Sequence, residues 1–465
     1  MSSDRVGPGS TASEGARVAL ATDLYELTMA ASYLALGMEE IATFSLFARK
    51  LPPRRSFLVA AGLEEALRRL SVLQLDASAI EHLRAAGHMR RDVLDGLART
   101  RFEGDVRAVG EGRVVFAGEP ILEVRAPIAQ AQLVETALLN AVHYPTLVAT
   151  KAARCAIAAA GKPLVDFSLR RTPGIETGVA AARACYLAGF AATSNVLAGR
   201  ELGIPVAGTV AHSFIELFPS EVDAFYAMAG TFPGEVTLLV DTYDTLSGVT
   251  HAIEVARALE GSGRKVAAVR LDSGDLAGLA MEARRMLDEA GLREVRVVAS
   301  GGLDEYALRA LVQAGAPIDA FGVGTRVGVS ADAPVLDLAY KIVDYAGQPT
   351  LKLSQGKETL VGPKQVFRRR GQDGRFMGDV IAAWDEPRPG PDWEPLLQPV
   401  MRGGRAAPLP TLEALRARHR AEIASLPAGL LDVDLGDSYP VAHSVTLEAR
   451  QCAAVAAVRR REGLA

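Results

Sequence analysis

Between residues 163 and 321 the chain repeats one pattern. A short apolar run without clean alternation gives way to a cluster of small and polar residues, and a longer stretch with apolar positions at helical spacing usually follows. The runs cover 163–165, 189–192, 204–207, 236–240, 266–269, 295–299 and 318–321. Strands buried on both faces read this way, because neither side of the pleat meets water. Helical stretches fall at 178–187, 248–259, 276–290 and 304–314. Parallel strands joined by helices bring the residues after each strand to one rim, so a barrel of (β/α) type is expected. An open doubly wound sheet is the weaker alternative, since no GxGxxG sequence follows the first run.

The flanks carry other periods. A helix is predicted from Asp23, with Thr22 as a candidate N-cap and Gly37 closing it, followed by an alternating strand at 41–48. Amphipathic helices at 62–73 and 77–86 precede a small β-rich module at 101–127. A helical stretch from 129 to 160 is expected to break near Pro145 and to stop at Gly161. Beyond residue 345 the pattern dissolves into Pro- and Gly-rich sequence at 386–410, then resumes as helices at 412–426 and from Val445 onward. The expected fold class is α/β: an irregular (β/α) barrel over 161–345, with an additional α+β domain formed by the N- and C-terminal segments. In that scheme 1–16 is a disordered tail, 17–160 is the N-terminal α+β domain, and 346–465 packs on it.

Composition narrows the functional classes. The chain has 465 residues, 49% of them hydrophobic, which is enough for a large core in two or three domains. With 51 basic and 55 acidic residues well mixed and a net charge of −4, neither nucleic acid nor an anionic membrane is a favoured partner. Anionic ligands must therefore be held by local groups. Cys155, Cys185 and Cys452 lie far apart and fit neither a disulfide framework nor a CxxC metal site, so a reducing, cytoplasmic location is expected. No signal peptide and no membrane-spanning run is evident.

The polar residues gather just past the apolar runs. They are Asp166, Phe167, Ser168, Arg170 and Arg171; Thr193, Ser194 and Asn195; Thr209, His212 and Ser213; Asp241, Thr242 and Asp244; Arg270, Asp272, Ser273 and Asp275; Ser300, Gly301 and Gly302; Gly322, Gly324 and Thr325. The last two groups read as phosphate cradles, because glycines at such turns let backbone N–H groups approach an anion. Tight turning alone is the other reading. Arg270 suits a carboxylate or phosphate, and Asp272 and Asp275 suit Mg²⁺ held through water. A structural ion pair or a helix cap would use the same acids. His212 has the chemistry of a general base, a proton donor or a phosphorus nucleophile.

Five stretches taken together, 23–29 (DLYELTM), 166–171 (DFSLRR), 208–214 (GTVAHSF), 270–275 (RLDSGD) and 322–325 (GVGT), resemble nicotinate phosphoribosyltransferase. The likeness runs in order from about residue 21 to residue 364, and the final hundred residues match less distinctly. It implies that nicotinate and phosphoribosyl pyrophosphate give nicotinate mononucleotide and pyrophosphate, with coupled ATP hydrolysis and Mg²⁺, as the entry step of NAD synthesis from the free acid. It also implies that His212 is transiently phosphorylated and that Arg270 and Asp272 serve the chemistry. Tyr25, Thr209 and Arg270 would contact nicotinate and Phe167 would stack on its ring. Arg170 would lie near phosphate or carboxylate and Ser213, beside His212, would bind substrate, while Ser300, Gly301, Gly302, Gly322, Gly324 and Thr325 would hold phosphates. Tyr25 would come from a second subunit, so a homodimer is implied. The chain has no GxxxxGK[ST] loop, so ATP would have to use these same phosphate turns.

Four rivals remain at this point, one of them a generic sugar-phosphate barrel isomerase, which would turn over without a pyridine substrate. A nicotinamide-using relative would carry an acid where Ser194 stands, and a quinolinate-using one would need more basic residues for its second carboxylate. A non-catalytic metabolite sensor would not need a phosphorylatable histidine.

Overall fold

The computed structural model describes residues 13–87, 89–354, 359–434 and 438–464. Six of the apolar runs form one parallel sheet. Its strands are β1 (Leu164–Asp166), β2 (Ala192–Thr193), β3 (Glu235–Leu239), β4 (Lys265–Leu271), β5 (Arg296–Ala299) and β6 (Ala320–Val323), in the order β2-β1-β6-β5-β4-β3. The remaining run, 204–207, makes a single parallel bridge from Val206 to Thr193. Pro205 has no N–H to extend a ladder and offers only its carbonyl, which accepts from Thr193 N at 3.0 Å. Among the described residues no ladder joins Val206 to β3. The sheet is therefore a curled, irregular barrel left open beside the segment that carries His212.

Helices Ile175–Leu187, Thr245–Ala258, Leu276–Glu289 and Glu305–Gln313 lie at the predicted places. Each turns an apolar stripe inward, as Val249, Ala252, Val255 and Ala256 do, against Val269, Val297 and Phe321 of the strands. Three of them start from an aspartate whose carboxylate accepts a first-turn N–H: Asp244, Asp275 and Asp304. That geometry fixes where the strand-end loops stop.

A seven-stranded sheet stands beside the barrel and draws on three distant parts of the chain. Ile41–Ala48 pairs antiparallel with Pro120–Pro127 and with Leu338–Tyr345, and Leu397–Arg402 pairs with Asp105–Val109. Leu338–Tyr345 thus belongs to this sheet, although it falls within the barrel bounds of 161–345 expected from the sequence. Lys364–Arg370, Phe376–Ala383, Trp393–Pro395 and Val441–His443 make a further four-stranded sheet.

Residues 1–12 of the expected tail lie outside the described residues, and Ser13 already caps a helix, Glu14–Leu20. Helix Glu135–Ala158 runs through Pro145 without the expected break; the interruption falls at Val134, after Ile128–Leu133. Pro145 leaves the Ala141 carbonyl without its helical donor, and Gly62 closes over it. A Cβ on Gly62 would stand 2.1 Å from that oxygen.

Candidate active site

Thr209, Asp272 and Ser300, from three of the strand ends, meet around one guanidinium. Arg270 lies inside β4, not after it, and its side chain is 13% exposed. Nη1 donates to Thr209 Oγ1 at 2.7 Å and to the Val210 carbonyl at 3.3 Å, Nε donates to Ser300 Oγ at 2.9 Å, and Nη2 meets Asp272 Oδ1 at 2.7 Å. Ser300 also donates to Asp272 Oδ1. Burial pushes the Asp272 carboxyl up, but the bonds from Ser300 and Arg270 outweigh it and leave the group below its ordinary value. Asp272 is therefore an ionised acceptor at the mouth of the barrel.

His212 opens a short helix, His212–Glu216, which anchors itself in the core through Ile215. Its Nδ1 lies 3.2 Å from Thr242 Oγ1, and its Nε2 lies 4.0 Å from Asp272 Oδ2. Asp241 accepts from Asp272 N and from Ser273 Oγ, each at 2.8 Å, while its Oδ1 has no partner among the described residues.

Phe167 follows β1 and faces the same space, its ring centre 5.6 Å from Arg270 Cζ. Gly322 is a buried residue within β6, so its part differs from the turn predicted for it. A Cβ there would come 2.3 Å from the Phe167 ring, and one on Gly324 would come 2.9 Å from the Phe167 carbonyl. These two positions stay bare so that Phe167 can fit. Gly301 and Gly302 do form a turn, with φ of +93° and +64°, and Gly301 sits against the Asp272 carbonyl.

Sequence comparison matches residues 20–143 to the nicotinate phosphoribosyltransferase N-terminal domain and residues 163–357 to the nicotinate phosphoribosyltransferase family. The chain is 49% identical over 429 residues to nicotinate phosphoribosyltransferase pncB2 of Mycobacterium tuberculosis, covering 92% of this chain and 91% of that protein. The chain belongs to the nicotinate phosphoribosyltransferase family. The Bacillus subtilis nicotinate phosphoribosyltransferase is 41% identical over 378 residues, covering 79% of this chain and 77% of that one. The crystal structure of human nicotinic acid phosphoribosyltransferase superposes with a TM-score of 0.84 at 32% identity, covering 92% of this chain and 98% of that one.

Several residues expected at a nicotinate phosphoribosyltransferase site stand outside the Arg270 network. Arg170 is exposed on a 3-10 turn, Leu169–Arg171, and Ser213 and Thr325 are exposed as well. Asp275 is exposed and its carboxylate accepts from Gly278 N at the start of Leu276–Glu289. Tyr25 sits on Leu24–Ala35 beside Glu26 and Glu135, and among the described residues nothing joins it to Arg270 or His212. Thr242 and Asp241 are among the strand-end residues named from the sequence, which assigns no partner to either. Both follow β3, and only the fold shows that they face His212 and Asp272.

Proposed function

We propose that the rim of β1–β6 is where this nicotinate phosphoribosyltransferase joins its substrates, with the nicotinate carboxylate on Arg270 and the pyridine ring against Phe167. The observation that carries this reading is the Arg270 guanidinium, pinned by Thr209, Ser300 and Asp272 beside an aromatic ring. A planar, preorganised fork next to a ring face suits a flat aromatic carboxylate. Ser194, at the end of β2, puts no negative charge near that carboxylate.

In this reading the pyridine nitrogen attacks the anomeric carbon, the new N–C bond forms, and the departing pyrophosphate takes the electron pair of the broken C–O bond. Positive charge grows on the ribose, where Asp272 and Asp241 stabilise it. Negative charge grows on the pyrophosphate, where the backbone of 300–302 and 324–325 receives it. Bound Mg²⁺ would neutralise that charge further. The residues present fit it in a limited way: Asp272 and the free Oδ1 of Asp241 are the one or two carboxylates Mg²⁺ takes alongside water and phosphate. Among the described residues no group of three His, Cys, Asp or Glu side chains forms a closed cage, and Asp275 is spent on capping.

ATP coupling belongs to His212. With Nδ1 on Thr242, Nε2 is the nitrogen left to accept the γ-phosphoryl group, releasing ADP, and later to pass it to water. The added charge of about −1.5 to −2 would reshape the surrounding loops. A homodimer supplies Tyr25: it is 46% exposed, and Leu24 and Met29 on the same helix and Leu36 just past its end are also exposed. Three unpaired cysteines fit a cytoplasmic setting.

Pyrophosphate release measured with nicotinate, nicotinamide, quinolinate and no pyridine tests the reading. Release with nicotinate alone is expected. Equal release with nicotinamide removes the Arg270 assignment.

A further inference from the structure

We propose that Asp166 and Thr193 are positioning residues that set the pyridine slot by clamping the ends of β1 and β2, a role that deepens and rests on the assignment of Phe167 to the nicotinate ring. Asp166 ends β1 and Thr193 ends β2, and both are 1% exposed. Among the described residues no cation pairs with Asp166. Its Oδ1 accepts from Ser168 N at 2.9 Å, its Oδ2 accepts from Thr193 Oγ1 at 2.8 Å, and its main-chain oxygen accepts from Ser194 N at 2.8 Å. Thr193 Oγ1 also accepts from Asn195 N at 3.0 Å, and the Thr193 carbonyl accepts from Ala207 N at 3.0 Å.

One carboxylate and one hydroxyl therefore tie the ends of β1 and β2 together, and the Thr193 main chain carries the link on to the run 204–207. The residues immediately beyond are Phe167, Ser194 and the segment leading to Thr209 and His212. The ladder between β1 and β2 is only two residue pairs long, Val165 with Ala192 and Asp166 with Thr193, so it fixes direction poorly by itself. A buried carboxylate without a cation is costly to keep. What it supplies here is geometry: it holds Phe167 and Ser194 at a set separation. The phosphate turn after β6 meets Asp166 and Phe167 through the main chain, Phe167 N donating to the Val323 carbonyl at 2.8 Å, so the Thr193 hydroxyl does not hold it.

The test compares Thr193→Ser with Thr193→Ala, which both lose the methyl group and differ only in the hydroxyl. The serine variant is expected to keep the nicotinate KM within about threefold of the parent, and the alanine variant to raise it about tenfold. In both, kcat and the KM for phosphoribosyl pyrophosphate should stay within about threefold of the parent. Thr193→Val, which refills the methyl volume, should behave as alanine does. Equal nicotinate KM values for Ser and Ala, or a valine variant at the parent KM, would overturn the clamp, as would an equal rise in the phosphoribosyl pyrophosphate KM. Phe167→Ala separates the two levels. An unchanged nicotinate KM there defeats the slot itself, whereas a raised value alongside matching Ser and Ala variants defeats only the clamp.

Discussion

Thr209 Oγ1 and Arg270 Nη1 are 2.7 Å apart although 61 residues separate them in the chain. The bond crosses the open side of the barrel and ties the His212 segment to β4. Thr209→Val keeps the shape and removes the acceptor, leaving one guanidinium N–H unpaired. It should lower kcat/KM for nicotinate about tenfold, and leave the melting temperature within a few degrees because Thr209 is only half-buried. Steady-state kinetics and thermal melts check this.

His212→Ala is expected to keep slow transfer but to lose stimulation by ATP, since the imidazole touches Thr242 and approaches Asp272 without carrying the core. Rates measured with and without ATP decide it. Undiminished ATP stimulation in the variant would remove His212 from the phosphoryl step.

Gly322→Ala puts a methyl group 2.3 Å from the Phe167 ring, inside a strand paired on both sides. Overpacking of this kind costs about 1–3 kcal/mol. The ring should yield before the strand does, so the nicotinate KM should rise several-fold more than the melting temperature falls in proportion. A variant with parent kinetics would show that Phe167 can move without consequence.

His419 sits buried on helix Leu412–Ser425, with Nδ1 3.1 Å from the Gly112 carbonyl. Burial pulls its imidazole down to about 4 from an ordinary value near 6.5. Between those values the unfolded chain binds a proton that the folded one refuses, so stability falls as pH drops from 6.5 to 4. Two to three pH units of difference correspond to roughly 3 kcal/mol at full expression. His419→Gln should flatten that slope in denaturant titrations across this window; an unchanged slope would place the acid sensitivity elsewhere.

Much of the fold is legible in the sequence because burial on both faces leaves a distinctive mark. Short apolar runs predict β1 and β3 to β6 to within two residues, the run at 189–192 meets β2 only at Ala192, and the alternation of Ile41–Ala48 predicts that strand to the residue. Lys364–Arg370 escapes the same logic, because Lys364, Gln365 and Arg368 are all buried within it. Arg368 is turned inward by Asp379 at 2.6 Å and Glu422 at 3.0 Å, so a core position reads as a polar one. Leu338–Tyr345 misleads in another way: the expected barrel bounds of 161–345 include it, but its partner lies almost 300 residues earlier. At the site, residue types predict Arg270, Asp272 and Ser300, whose chemistry is distinctive. They do not predict that Gly322 serves Phe167, or that Thr242 serves His212, because both depend on which loops face one another.

The central claim is that Arg270 reads the nicotinate carboxylate. It is tested most directly by kcat/KM for nicotinate and nicotinamide in the parent and in Arg270→Gln, with thermal melts to establish folding. Losing a charge-assisted bond of about 2–3 kcal/mol predicts a 30- to 150-fold fall on nicotinate and a collapse of the preference for the acid. A folded Arg270→Gln enzyme that keeps both the rate and the preference would contradict the account.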